Sequence, residues 1–197
     1  MLKYSCRKER SSLRVIAGSL RGRRLKAPKG LNTRPTTDRI KESIFSMIHG
    51  FIPESIVLDL FSGTGNLGIE SLSRGAAKAY FVDKSKESIQ IIKENIAETG
   101  LQDKSMAILS DAFKVLNRLS EEGIKFDIIF LDPPYLKDLI MPCIHTILRE
   151  KLLNDNGIIV IEHDSKDILP EKIDSISIYK QKKYGNTTIS IYTEEDV

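Results

Sequence analysis

Only two cysteines, Cys6 and Cys143, occur among 197 residues, which is too few for a disulfide framework or a thiolate metal cluster. The three histidines, His49, His145 and His163, are scattered without ligand spacing, so no metal site is expected. No apolar run approaches the roughly 18 residues a membrane span requires, and no low-complexity tract interrupts the chain. The stretch from Met1 to Lys8 holds no apolar core of the kind a signal peptide needs. Together these absences point away from secreted scaffolds, metalloproteins and membrane proteins and toward a soluble protein of the reducing cytoplasm. What remains is 41% hydrophobic residues, enough for one large domain with a small appendage.

Charge is unevenly placed. Residues 1–41 carry thirteen Lys and Arg against Glu9 and Asp38, a net of +11, while the rest carries seventeen bases against twenty-five acids, a net of −8. A basic end on an acidic body suits a nucleic-acid contact surface, because cationic side chains gain affinity by releasing counterions from phosphates. Within that end, Leu13-Arg14-Val15-Ile16-Ala17-Gly18 and Gly22-Arg23-Arg24-Leu25-Lys26-Ala27 pattern as two short strands joined through Ser19-Leu20-Arg21. Pro28, Gly30 and Asn32 then mark a loop, so residues 1–35 are expected to form a basic extension and residues 36–197 the main domain. Arg34-Pro35-Thr36-Thr37-Asp38 starts a helix, with Thr36 or Thr37 as its cap and Asp38 against the positive end of the dipole. Ile40, Ile44, Met47 and Ile48 form its apolar stripe, Gly50 stops it, and Arg39 and Lys41 face away from the domain. Arg14, Arg21, Arg23, Arg24, Arg34, Arg39 and Lys41 are the candidate phosphate-gripping residues.

From Ser55 onward strand and helix alternate. Strands are expected at 56–61, 78–83, 105–109, 126–131 and 157–162, and helices at 66–74, 85–99, 112–121 and 139–153. Two further strands, at 174–182 and 187–193, turn through Tyr184-Gly185-Asn186. The expected fold is therefore α/β, a doubly wound, mostly parallel sheet of seven strands with helices on both faces.

Two loops carry the chemistry. Ile128-Ile129-Phe130-Leu131 reads as a strand buried on both faces, and it ends at Asp132-Pro133-Pro134-Tyr135. Consecutive prolines have no N–H to donate and fix φ, so they hold a stiff corner at the strand's carboxyl end, where open α/β sheets bind ligands. A carboxylate, a carbonyl and an aromatic ring on such a corner suit a flat ring bearing an amino group.

The second loop, Val57-Leu58-Asp59-Leu60-Phe61-Ser62-Gly63-Thr64-Gly65-Asn66-Leu67-Gly68, has the GxGxxG spacing of a nucleotide loop between strand and helix. Asp83, twenty residues past Gly63, ends the next strand, where its carboxylate can accept ribose hydroxyls. Both features suit a nicotinamide dinucleotide as well as S-adenosylmethionine. Asp59 favours the latter, since an acid there suits a sulfonium and an amino group better than a diphosphate. Asp111 and Ala112, after the third strand, offer an acceptor and an N–H to adenine, with a plain helix cap the equal alternative for Asp111. Phe61 completes the candidate cofactor set.

Taken together, Asp59, Gly63-Thr64-Gly65, Asp83, Asp111-Ala112 and Asp132-Pro133-Pro134-Tyr135 resemble the class I, Rossmann-like S-adenosylmethionine-dependent methyltransferases that modify exocyclic amino nitrogens of bases. With Arg14-Val15-Ile16-Ala17-Gly18, Arg21-Gly22-Arg23-Arg24-Leu25, Arg34-Pro35-Thr36-Thr37-Asp38-Arg39, Glu42 and Ser73-Arg74-Gly75-Ala76, the likeness narrows. Over residues 13–192 the chain is similar to the RsmD family of 16S rRNA guanine-N2 methyltransferases, with Ser62 and Thr64 as small-residue variants of the cofactor loop. The resemblance implies S-adenosyl-L-methionine as cofactor, a guanine of small-subunit ribosomal RNA as substrate within an assembling 30S particle, and Asp132, Pro133, Pro134 and Tyr135 as the catalytic corner. A cytoplasmic monomer is expected.

Two other readings share parts of this pattern. A DNA adenine-N6 methyltransferase has the same catalytic corner but normally adds a base-recognition domain for which this chain has no room. A silent RNA-binding or ribosome-assembly factor could keep the scaffold without the reaction. Pro142-Cys143 matches the nucleophile of base C5-methyltransferases, but it falls among Leu139, Ile140, Ile144 and Ile147, where a buried structural thiol is expected.

Overall fold

Ile128, Ile129, Phe130 and Leu131 have no polar side to turn toward water, and the fold places them at the centre of a sheet covered on both faces. The computed structural model of the chain describes residues 13–28, 38–133 and 139–194. A helix α1 (Asp38–Met47) precedes β1 (Ile56–Asp59), α2 (Asn66–Ser73), β2 (Lys78–Asp83), α3 (Lys86–Thr99), β3 (Ser105–Leu109), α4 (Ala112–Glu121), β4 (Phe126–Leu131) and α5 (Ile140–Arg149). The chain then adds β5 (Leu153–Asp164), β6 (Lys172–Ile173), β7 (Ile176–Tyr184) and β8 (Thr187–Glu194).

The sheet order is β3-β2-β1-β4-β5-β8-β7-β6. The first five strands of that row are parallel, and β8, β7 and β6 follow antiparallel. This corrects the expected seven strands to eight. The extra one, β6, is only two residues long, too short to show alternation in a sequence. It forms because Lys172 and Ile173 fold back on Ser177 and Ile176.

Each face of the sheet has its own apolar layer. On one side Val57, Phe81, Phe130 and Val160 pack against α1, α2 and α3; on the other, Leu58, Val82, Leu131 and Ile161 pack against α4 and α5. Burying each such side chain contributes roughly 1.5–3 kcal/mol. All eight residues of α2 are buried, which requires a close approach to the sheet. Gly68 supplies it, because a Cβ there would lie 2.3 Å from a ring carbon of Phe81.

The basic segment belongs to the first layer. Val15 and Leu25 are buried in it, and the expected two strands reduce to a single antiparallel bridge between Arg14 and Arg24. Val15 N–H donates to the Arg23 carbonyl at 2.9 Å and Leu25 N–H to that of Leu13 at 2.8 Å. Helix α1 ends at Met47, and Gly50 sits in the following single turn, His49–Phe51, instead of stopping the helix itself. Its expected caps, Thr36 and Thr37, lie outside the described residues, as does Cys6.

Candidate active site

The carboxyl ends of three adjacent parallel strands each deliver an acid to the same face. Asp59 ends β1, Asp132 follows β4, and Glu162 lies near the end of β5. Asp59 pairs with Phe130, and Leu131 with Ile161, so Asp132 and Glu162 leave their strands side by side. Strand alternation turns all three toward the layer that holds α1 and α2.

These acids repel one another in a place with little water. Burial pushes the Asp59 carboxyl up to about 7, against the stabilising N–H of Gly68, and the nearby Asp83 adds to the rise. Asp59 Oδ2 accepts that N–H at 3.1 Å. Burial likewise raises Asp132 well above the usual carboxylate range, reinforced by Glu162 and then by Asp59. None of the ion pairs among the described residues involves Asp59 or Asp132. A cluster of acids of this kind is suited to a cationic ligand. Glu162 was not among the residues anticipated, though an acid closing a buried strand was the available signal, as at Asp59 and Asp132.

The glycine loop is drawn tight around β1 and β2. Gly63 and Gly65 take φ of +55° and +76°, and Gly65 N–H donates to the Ser62 carbonyl at 2.7 Å. Ser62 Oγ donates to the Asp59 carbonyl at 2.5 Å and accepts from Val82 N–H at 2.9 Å. A Cβ on Gly63 would meet nothing within 4 Å, so the loop's outer side is open. Asp83 receives Gly63 N–H on one oxygen at 2.9 Å and Ser85 N–H on the other at 2.8 Å. Lone pairs remain on both oxygens for hydroxyl donors. Asp111 is exposed and caps α4, its Oδ1 accepting N–H from Phe113 at 3.0 Å and Lys114 at 3.5 Å. Ala112 opens that helix and is buried; Phe61 is half-buried against the second apolar layer. The loop thus meets the needs of a nucleoside carrying a positive charge: open glycine backbone, hydroxyl acceptors and buried acids.

Pro133 is buried beside Asp132, and Pro134 and Tyr135 lie outside the described residues. Of the basic candidates, Arg21, Arg23, Arg24 and Arg39 are exposed. Arg14 is exposed too and pairs with Asp38 at 2.9 Å. Arg34 lies outside the described residues. Lys41 needs correction, since its side chain is fully buried and does not face solvent. Its Nζ contacts Glu70 Oε2 at 3.0 Å, donates to Asn66 Oδ1 at 2.7 Å and donates to the Arg14 carbonyl. Helical spacing puts residue 41 beside Ile40, Ile44 and Phe45, all buried, and Glu70 on α2 supplies the counter-charge that burial demands.

Cys143 is fully buried and its thiol is pushed up to about 12 by burial, which rules it out as a nucleophile at neutral pH. No metal-holding group of His, Cys, Asp and Glu occurs among the described residues, and no described helix is long and apolar enough to cross a membrane. A cavity of about 730 Å³ opens elsewhere, beside β7 and the 165–172 connection, where it is lined by His163, Glu171, Lys172, Gln181 and Lys183.

A family model described as "Conserved hypothetical protein 95" matches residues 13–193. The chain is 41% identical over 180 residues to the protein YlbH of Bacillus subtilis, covering 91% of this chain and 98% of that one. It is 31% identical over 183 residues to "Ribosomal RNA small subunit methyltransferase D" of Escherichia coli, covering 93% and 90%. The solved structure of the Escherichia coli protein yhhF superposes with a TM-score of 0.84 at 28% identity, covering 94% of this chain and 99% of that one. The chain therefore belongs to the conserved hypothetical protein 95 family, the RsmD family that its arginine segments and Asp-Pro-Pro-Tyr corner resemble.

Proposed function

We propose that this chain transfers a methyl group from S-adenosyl-L-methionine to the exocyclic N2 of a guanine in small-subunit (16S) ribosomal RNA. The observation that carries the reading is the row of acids, Asp59, Asp132 and Glu162, on one face beside an open glycine loop. The relatives' names support ribosomal RNA as the substrate class, and guanine N2 rests on the family resemblance.

Bound in this loop, the cofactor would supply an electrophilic methyl on a positively charged sulfur. Asp59 would face that positive charge, Asp83 the ribose hydroxyls, and Phe61, Asp111 and Ala112 the adenine. A cation beside Asp59 and Asp132 draws both back toward the ionised form, so filling the site favours their charged state. The guanine amino group is a weak nucleophile because its lone pair is delocalised into the ring. The chain's task is placement: Asp132 and the Pro133 carbonyl accept the two N–H bonds, turning the lone pair out of the ring plane, a positioning effect worth several kcal/mol. Pro134 stiffens the corner and Tyr135 stacks on the extruded base, a contact worth roughly 1–3 kcal/mol. After transfer the nitrogen gives its proton to Asp132 or water. Arg14, Arg21, Arg23, Arg24, Arg34 and Arg39 on the 1–35 extension and the start of α1 would hold RNA phosphates. The enzyme would act as a cytoplasmic monomer on an assembling 30S particle.

Small subunits from cells lacking the protein, supplied with labelled cofactor and then digested to nucleosides, should yield labelled N2-methylguanosine. Label in adenosine, or none, would overturn the assignment. Asp132→Ala should lose methyl transfer by roughly a hundredfold or more while still binding the cofactor; near-normal turnover would remove Asp132 from its role.

A further inference from the structure

Strand β7 carries an unexplained concentration of positive charge. Its sequence, Ile176-Ser177-Ile178-Tyr179-Lys180-Gln181-Lys182-Lys183-Tyr184, holds three lysines and no acid, although the chain beyond residue 41 is acidic overall. Lys180, Gln181, Lys182 and Lys183 are all exposed. Among the described residues none of the three ammonium groups forms an ion pair; Lys180 lies over the Tyr179 ring at 4.6 Å and Lys182 over that of Tyr184 at 5.5 Å.

Register places part of this charge in line with the acids of the site. Glu162 pairs with Ile189, and Ile189 with Lys182. Asp132, Glu162, Ile189 and Lys182 therefore form one row across four neighbouring strands, with Lys182 about 14 Å from Asp132 at the usual strand spacing. Lys180 pairs with Ile191 and Lys182 with Ile189, both of which belong to the α1 layer, so the two lysines share the face of the acids. Tyr184 anchors this end by a hydroxyl contact with Ser43 of α1, and Tyr179 packs edge-on against Phe51 at 5.8 Å. The basic 13–28 segment lies on the far side of the acids, held to α2 and α3 through Glu70 and Asn95. The acidic row thus sits between two cationic surfaces of one face.

We propose that the Lys180–Lys182 surface of β7 is a second RNA contact, binding phosphates that flank the target base. It rests on the functional reading above and adds a surface that this reading does not use. A base held at Asp132 cannot itself reach β7, so the strand meets the backbone of neighbouring nucleotides, while the arginine segment meets the other side. Phosphate is the ligand class because the surface offers flexible ammonium groups without competing acids, and the tyrosines beside them add faces on which an unpaired base can stack. The alternative is a protective one: β6 covers only the first two residues of β7, and lysines on an open edge discourage strand-to-strand association.

Charge reversal separates the two, because glutamates protect an edge as well as lysines do. The Lys180→Glu/Lys182→Glu chain should bind 16S ribosomal RNA roughly tenfold or more weakly at 0.1 M salt, with the slope of log K against log salt shallower by about 1.4 for two lost contacts. Its titration with S-adenosylhomocysteine and its monodispersity should match the parent. Lys125→Glu, an exposed change between α4 and β4, should leave the slope unaltered. A monodisperse double variant with unchanged affinity and slope overturns the proposal and leaves edge protection as the role. Should the reversed chain fail to fold, Lys180→Gln/Lys182→Gln must show the same shallower slope, or the proposal falls. If the parent chain itself binds and methylates no ribosomal RNA, the functional reading fails first, an outcome distinct from a β7 variant that behaves like a competent parent.

Discussion

Buried Lys41 and Glu70, with half-buried Arg74, set opposite charges facing one another, whereas Asp59, Asp132 and Glu162 bring like charges together. Glu70 shows how complete the first arrangement is. Its Oε2 contacts Lys41 and accepts the Ile16 N–H at 2.8 Å, while its Oε1 accepts the Ala17 N–H at 3.0 Å and Arg74 Nε at 2.8 Å. Through these bonds Glu70 ties the basic segment and α1 to α2. In the second set Glu162 and Asp59 both add to the rise that burial gives Asp132. A fold assembled for stability alone would not keep such a row; one that must receive a cation would. The difference separates charge that holds the fold from charge kept for a ligand.

The largest effect should come from breaking the compensated set. Glu70→Ala strands Lys41 without a counter-charge and leaves two N–H groups without acceptors, at a cost of about 3–5 kcal/mol. A drop in thermal midpoint on the order of 10 °C is expected for a chain of this size. A midpoint within about 2 °C of the parent would mean the network carries little of the stability.

Asp59→Asn should do the reverse. The folded Asp59 has a pKa of about 7 against an ordinary 3.8, so the native state binds the proton more tightly. Stability from this group is therefore present at low pH and lost as pH rises between those values, the slope following the difference in bound protons. At pH 8, without cofactor, the Asn variant should be more stable than the parent by on the order of 4 kcal/mol, and the gain should vanish near pH 4. Cofactor affinity should tighten in the parent as pH rises through about 7 and change less steeply in the variant. Urea unfolding and cofactor titrations over pH 4 to 9 measure both, and a parallel pH profile for the two chains would contradict the electrostatic account.

A smaller steric effect probes the wall between the two sets. Gly68→Ala forces a methyl against Phe81, which lies on the sheet beneath α2, and overpacking of this kind costs roughly 1–3 kcal/mol. Because Gly68 N–H also bonds Asp59, cofactor affinity should fall along with stability. Loss of stability without loss of affinity would separate the packing from the site.

The smallest effect belongs to the surface. Arg23→Glu/Arg24→Glu should leave the thermal midpoint within about 1 °C, as exposed changes usually do. It should flatten the salt dependence of RNA binding by about 0.7 for each lost contact. An unchanged slope would remove the hairpin arginines from the RNA surface.

Much of the fold was legible because its signals are local. The strands at 78–83, 105–109 and 126–131 and the helix at 112–121 are observed with those bounds, each marked by apolar runs, caps or glycines within a few residues. The positions of Gly65, Asp83 and Asp132 at or beyond the carboxyl ends of strands are likewise marked by the residues next to them. Lys41 was misread because a lysine in a helix gives no local sign of the acid waiting 29 residues later on another element. Glu162 was passed over because it looks like any strand-ending acid until β5 is set beside β4. Asn95 gave no warning at all, yet its side chain donates to the Thr64 carbonyl at 2.9 Å and accepts from Lys26 N–H at 2.7 Å, tying the glycine loop to the basic segment.

By itself the order of residues determined where the strands and helices lie, which loops carry glycine and proline, and where charge accumulates. These follow from side-chain volume, backbone freedom and alternation over a few positions. Only the tertiary structure decided that three acids from β1, β4 and β5 share a face, that Lys41 is a buried strut, and that the β7 lysines line up with the acidic row. Those outcomes depend on strand order and register, and it is pairing between distant segments, not any one segment's composition, that brings such charges together.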